Sequence, residues 1–446
     1  MTDPHGRKPP KLGGSFLAGA QGRLLPASVP LRFFGAAVTF HALAWLALLA
    51  GAANWAQWHG GLGWPLAALH LVTLGTLLSS AIGASLQLLP VATRQPVRSP
   101  RAAAALWWVY VPGVVALALG MGLPHTTLLA LGTAAVVAAL ATWAALLALN
   151  LRGARGMPGV VLHGWGALAA LTLLAASALA LVALWLGHPL LGRDTARALH
   201  LVAGVFGTMG LLALGLSYVL LPMFALAGVP DERLQLGSGG LALAAIALAT
   251  IAAFDVAPLA LRAGALAAGS VALALHLKLM HHALTTGMRR DLGRSLQLIR
   301  LSWGALALAL AVALLQLAAP TLGLDAGRLG RLFVVLAVGG WLLSFLFGVL
   351  QRILPFLASM HAARGQTRPP TPSALTCERP LAWHYAAHLA ALALLAAAVL
   401  ADSAWLAGAA ALAGGVGALA FGLFCVGVWQ RLRRSLQASA ATGARG

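Results

Sequence analysis

Acidic residues are scarce in this sequence: nine Asp and Glu stand against 29 Lys and Arg in 446 residues, for a formal charge of +20. Asp255, Asp325 and Asp402 fall in one set of loops, and Asp231, Glu232, Asp291 and Glu378 in the opposite set, so none of these lies inside an apolar segment. A cation-coupled transporter normally needs a carboxylate or an interrupted helix near the membrane midplane, and this distribution argues against that class. Cysteine is nearly missing. Cys377 and Cys425 form neither a C-x-x-C pair nor a four-thiolate metal site, and they suggest no disulfide-stabilised exterior. No P-loop, HExxH or compact hydrolase motif occurs, which weighs against the nucleotide-dependent and hydrolytic classes those motifs mark. The basic residues lie between apolar segments rather than on one polar face, so nucleic acid is not an expected partner.

Long apolar runs fill the chain instead. Hydrophobic residues make up 61% and charged residues 9%, with a mean hydropathy of +0.89, values that indicate an all-α polytopic membrane bundle. Twelve spans are predicted at about 31–51, 64–89, 103–120, 126–149, 163–187, 199–226, 238–254, 258–284, 299–319, 331–357, 382–401 and 404–429. They form one membrane domain over 31–430 between a tail at 1–30 and a basic tail at 431–446. The first apolar run is too long for a signal peptide and lacks a credible cleavage site. With the N-terminus inside, 22 basic residues fall on inner segments, against five outside: Arg193, Arg197, Arg262, Arg328 and Arg331. That bias predicts both termini in the cytoplasm.

One pattern recurs three times. His70–Pro90 (HLVTLGTLLSSAIGASLQLLP) returns as His200–Pro222 (HLVAGVFGTMGLLALGLSYVLLP) and, without the histidine, as Phe333–Pro355 (FVVLAVGGWLLSFLFGVLQRILP). In each copy a glycine (Gly83, Gly215, Gly348) stands seven residues before the proline. The proline is expected to end or kink its helix. The glycines let a neighbouring helix, or a flat prosthetic group, approach the backbone. His70 and His200 then enter from the outer face at similar depth, with Arg193 and Arg197 just outside. Imidazoles, glycines and arginines suit the axial ligands, slot and propionate partners of a haem b. Polar packing against a backbone carbonyl or water, and another ligand or ion, are the alternatives. A second, inner group comprises His276, His281, His282, His384 and His388. It is a candidate for copper, a second haem, proton relay or interface packing. His384 and His388 are one turn apart and share a face, whereas adjacent His281 and His282 diverge by about 100°. His41 is central in the first span, and His163 lies near the inner surface.

The segments LRFFGAAVTFHAL, HLVTLGTLLSSAIGASLQLLPV, the His200 copy, MHHALTTG and GGWLLSFLFGVLQRILPF together resemble a group of bacterial twelve-span membrane proteins. That group is related to subunit I of haem–copper oxidases and to the NnrS-type haem and copper proteins of nitric-oxide response. The resemblance covers about Leu31 to Met360. It implies a low-spin haem ligand at His70 and likens His200 to a copper ligand of the sixth span. It also likens His281 and His282 to an adjacent pair that the oxidases carry one span earlier. The oxidases' tenth span supplies two haem ligands, and here that span has no histidine. A haem-binding relative with altered or lost chemistry is therefore expected, rather than a complete oxygen or nitric-oxide reductase, and whether it is an enzyme stays open. The leading expectation is a haem b protein of the bacterial inner membrane serving redox, nitric-oxide response or respiratory metal homeostasis. The alternative is a transporter or assembly factor for copper or another small ligand. Membrane lipid is the expected surrounding, and a redox protein, a respiratory complex or a second copy of the chain are candidate partners.

Overall fold

The computed structural model describes residues 25–55, 58, 60–363 and 369–443. The expected N-terminal tail up to residue 24, residues 364–368 of the longest connection and the last three residues of the basic tail lie outside these. Among the described residues, twelve helices are long and apolar enough to cross a membrane: α1 Ser28–Ala50, α2 Trp64–Ala92, α3 Pro100–Gly122, α4 Thr126–Arg152, α5 Pro158–Trp185, α6 Arg193–Ala225, α7 Glu232–Ala252, α8 Pro258–Thr286, α9 Gly293–Leu322, α10 Ala326–Ala362, α11 Glu378–Leu400 and α12 Ala404–Gln437. Their number and order match the sequence reading. The protein is an all-α, multi-pass membrane bundle, and no β-strand occurs among the described residues. A bilayer core offers the backbone no water, so each span must satisfy its own N–H and C=O groups, and helices do so.

The three recurring segments form α2, α6 and α10, and each passes through a π-helical stretch: Leu71–Leu78, Val202–Gly210 and Val335–Leu343. A π-turn shifts the backbone bond to the residue five positions on and widens the helix. Side-chain hydroxyls accompany this register. Thr76 donates to the Leu71 carbonyl, Ser79 to that of Leu74 and Ser344 to that of Gly339, each five residues back. Apolar periodicity alone carries no sign of this. Of the two outcomes expected at the prolines, an ending or a kink, the ending does not occur, because the helices run on past Pro90, Pro222 and Pro355 to Ala92, Ala225 and Ala362. Proline removes one N–H bond, but stopping a helix at membrane depth would strand several polar groups at once.

The described chain divides into two compact units. One holds Leu25, Ala84–Ala103 and Thr142–Leu292, and the other holds the described residues of Pro26–Gly83, Ala104–Ala141 and Gly293–Gly446. The boundaries pass through apolar helices, where composition does not change. We call them the α5–α8 unit and the α9–α12 unit.

Within the α5–α8 unit, α6 lies against α5. A Cβ at Gly215 would come within 2.6 Å of the His163 Cβ, and one at Gly207 would collide with Ala170. Ser238 of α7 donates to the Ala272 carbonyl of α8 at 2.9 Å. Trp143 donates to Ser85 at 3.0 Å, and Thr93 to Asn150 at 2.8 Å, tying the end of α2 to α4. The α9–α12 unit repeats the glycine contact twice. In the α1/α2 pair, Gly75 faces Phe40 (2.6 Å to an added Cβ) and Gly83 faces Phe33 (3.1 Å). In the α9/α10 pair, Gly340 faces Ala305 (2.8 Å) and Gly348 faces Ile299 (2.7 Å). A second glycine thus stands eight residues before the first in every copy, and both meet the preceding span. The pairs α1/α2, α5/α6 and α9/α10 thus repeat one two-helix contact whose second helix carries the π-stretch. The space beside Gly83, Gly215 and Gly348 is taken by a helix, the first of the two uses the sequence left open.

Candidate histidine sites

Among the described residues, two clusters of buried imidazoles occur, one in each unit. In the α5–α8 unit, His163 is 1% exposed, and its ring is clamped between Gly215 of α6 and Gly239 of α7. A Cβ at Gly239 would lie 2.7 Å from the His163 Cε1. The Nδ1–H of His163 donates to the Gly159 carbonyl at 2.7 Å. A carbonyl can only accept, so the lone pair is on Nε2, which is buried without a hydrogen-bond partner. Tyr218 of α6 stands edge-on to this ring, with centroids 5.4 Å apart. His276 of α8 also contacts Tyr218, 5.3 Å away by centroids and with Nδ1 3.3 Å from the phenol oxygen. Tyr218 and His276 are fully buried.

In the α9–α12 unit, His41 of α1, His384 and His388 of α11, Phe347 of α10 and Phe421 of α12 share one interior. Phe347 is 4.6 Å from both His41 and His384 by ring centroids, and Phe421 is 4.9 Å from His384. His384 and His388 stack at 5.7 Å, as their one-turn spacing requires. His384 donates Nδ1–H to the Gly417 carbonyl at 3.0 Å, and its Nε2 is buried without a hydrogen-bond partner. Trp45 donates to His41 Nε2 at 2.9 Å, so His41 carries its proton on Nδ1 and presents a donor, not a lone pair. The Ser344 hydroxyl proton goes to the Gly339 carbonyl, so His388 Nε2–H donates to Ser344 at 2.8 Å.

The outer histidines are half-buried and lie immediately before π-stretches. His70 belongs to the α9–α12 unit and His200 to the α5–α8 unit. The Nδ1–H of His70 donates to the Leu66 carbonyl at 3.0 Å. For His200, Nδ1 is 3.4 Å from Ser177 Oγ, whose own proton goes to the Leu174 carbonyl. His70 therefore holds its lone pair on Nε2. Arg197 pairs with Asp194 at 3.1 Å, with both side chains mostly exposed, and Arg193 is exposed at the start of α6.

Of the inner group, His276, His384 and His388 are buried, and the structure separates His276 from the other two by unit. His281 and His282 are exposed near the end of α8, outside the His276 cluster. At about 100° per residue they lie roughly 140° and 240° around the helix from His276. The sequence noted His41 and His163 by depth only. The glycines that clamp His163 belong to α6 and α7, and no local pattern reveals that meeting. Among the described residues, no group of three or more His, Cys, Asp or Glu is placed to hold a metal ion. No protein-family model matches the chain, and no curated protein matches it at a significant level.

Proposed function

We propose that the protein is an integral-membrane haem b protein of the haem–copper oxidase and NnrS-like type, seated in the bacterial inner membrane with both termini cytoplasmic. Its role is in redox chemistry, nitric-oxide response or respiratory metal homeostasis. One observation carries the reading: His70 and His200 occupy the same place in two copies of one α–π–α span, each immediately before its π-helical stretch, and the Leu66 carbonyl anchors the His70 Nδ1–H. A hydrogen bond on one ring nitrogen orients an imidazole and strengthens the other nitrogen as a ligand. The imidazoles fit iron. The repeat glycines do not serve as the slot, since helices fill the space beside them. Bound haem would supply a one-electron carrier or a site for a diatomic gas. The chain's own part is to fix the His70 tautomer and keep carboxylates away.

Pyridine haemochrome and metal analysis of the purified protein test this. Haem is expected in the wild type, with His70→Ala and His200→Ala converting the spectrum towards high spin or losing haem, and His384→Ala leaving it intact. An active preparation without haem would overturn the reading. A second reading, handling of copper or another small ligand, draws on the His384 Nε2 lone pair inside the aromatic enclosure. Copper without haem in the wild type, lost in His384→Ala, would favour it.

A further inference from the structure

We propose that the α5–α8 unit carries a mononuclear site for a divalent transition-metal ion, bound by the imidazoles of His163 and His276 and the phenolate of Tyr218. This site is separate from the haem reading and does not depend on it.

Three features make the cluster a site rather than ordinary helix packing. First, His163 is held as a ligand must be. Its rotamer is locked between Gly215 and Gly239, its Nδ1–H is anchored on the Gly159 carbonyl, and its Nε2 lone pair is buried and unclaimed. Second, the separation of 3.3 Å between His276 Nδ1 and the Tyr218 oxygen is long for an O–H···N bond. It equals the roughly 3.3 Å between two ligands of a tetrahedral ion with bonds of about 2.0 Å. Third, the three residues lie towards the same end of their helices: five residues from the start of α5, seven from the end of α6 and ten from the end of α8. The Tyr218 ring contacts both imidazoles. The third donor is a phenol, so the cluster lies outside any count of histidine, cysteine and carboxylate ligands.

Charge selects the ion. No carboxylate is among the three donors, so the phenolate is the single anion among them. A divalent ion then leaves one net positive charge in the membrane interior, and a trivalent ion leaves two, at a greater desolvation cost. Imidazole and phenolate donors suit a borderline ion, and copper(II) binds such a set most strongly among the divalent first-row metals. Binding forms one metal–oxygen and two metal–nitrogen bonds in place of the ion's bonds to three waters and breaks the phenolic O–H, whose proton leaves to bulk water with the displaced waters.

The test uses the full-length protein in detergent, stripped with a chelator and titrated with copper(II) sulfate. One ion should bind per chain, with a phenolate-to-copper charge-transfer absorption and nitrogen hyperfine structure in its electron paramagnetic resonance. Tyr218→Phe should lose the absorption and weaken binding at least tenfold, while His163→Ala and His276→Ala should each weaken it about a hundredfold. His163→Gln, with thermal melting measured beside it, separates loss of the ligand from loss of the fold. Gly240→Leu, where an added side chain meets nothing within 4 Å, should leave affinity and absorption unchanged. An absorption that persisted in Tyr218→Phe, wild-type affinity in folded His163→Gln, or no stoichiometric binding by wild type would overturn the proposal. Haem content is read on the same samples, so failure of one reading is distinguishable from failure of the other.

Discussion

The two buried clusters use the same residue type differently. Around His384 the three imidazoles are mostly spoken for: Trp45 donates to His41, Ser344 accepts from His388, and two phenyl rings fill the rest. Around His163 the second and third partners are a phenol and one more imidazole, and glycines on two helices grip the ring. The lesson is that a histidine's role in a membrane interior is set by which ring nitrogen its neighbours claim. Depth and spacing, which the sequence supplies, do not decide it.

The largest expected effect that would break this contrast comes from the glycines. Gly215→Leu should cost about 3 kcal/mol through overpacking and should also displace His163, so stability and metal affinity fall together. Gly348→Leu meets Ile299 and the Ser295 carbonyl instead, so it should cost a similar amount and leave the His163 site intact. Gly240→Leu, with nothing within 4 Å, should change neither. Thermal melting and copper titration of the three variants decide it, and equal losses in all three would make the repeat spacing incidental.

Next in size is Ser344→Ala, which strands the buried His388 Nε2–H and should cost about 1–3 kcal/mol. The counterpart in the other unit is Ser177→Ala. It removes a longer contact to the half-buried His200 and should cost less, about 0.5–1 kcal/mol. Denaturation in mixed detergent gives both values, and a larger loss for Ser177→Ala would reverse the ranking of the two histidines' settings.

The loops extend the comparison with smaller effects. Asp402 receives both Arg328 and Arg331, joining the start of α10 to the α11–α12 turn, whereas Asp194 pairs with Arg197 inside one helix. Asp402→Asn should cost about 0.5–1 kcal/mol and lose its effect in high salt. Asp194→Asn should be close to neutral, and melting at two ionic strengths checks both.

The smallest effect concerns Asp325, the N-cap of α10. The Arg328 backbone N–H, followed by the Gly327 N–H and the Arg328 and Arg331 charges, holds its carboxyl below the ordinary value, with desolvation opposing. A depressed carboxyl stabilises the fold above its unfolded pKa, about 3.9, and that contribution disappears as pH falls through the folded value. Asp325→Asn should therefore lower stability at neutral pH and match wild type in strong acid. A constant difference across that range would exclude the cap as its source.

Much of the architecture was legible in the chain. Twelve spans follow from hydropathy because burying a backbone in lipid leaves few options but the helix. The recurrence of His70–Pro90 exposed the repeat, although its second glycine, eight residues upstream of the first, became meaningful only once Phe40, Ala170 and Ala305 were seen against it. The α–π–α form of α2, α6 and α10 was not legible, because it depends on backbone register and on hydroxyls such as Thr76 and Ser344 reaching carbonyls five residues back.

By itself the sequence determined that this is a multi-pass helical membrane protein with scarce acid and histidines at several depths, since composition and local periodicity act within single helices. Only the tertiary structure decided that His163 meets Tyr218 and His276 while His384 meets His41, and which nitrogen each ring keeps available. Those properties belong to contacts between helices far apart in the chain, and the carbonyls and glycines that create them look alike in sequence wherever they occur.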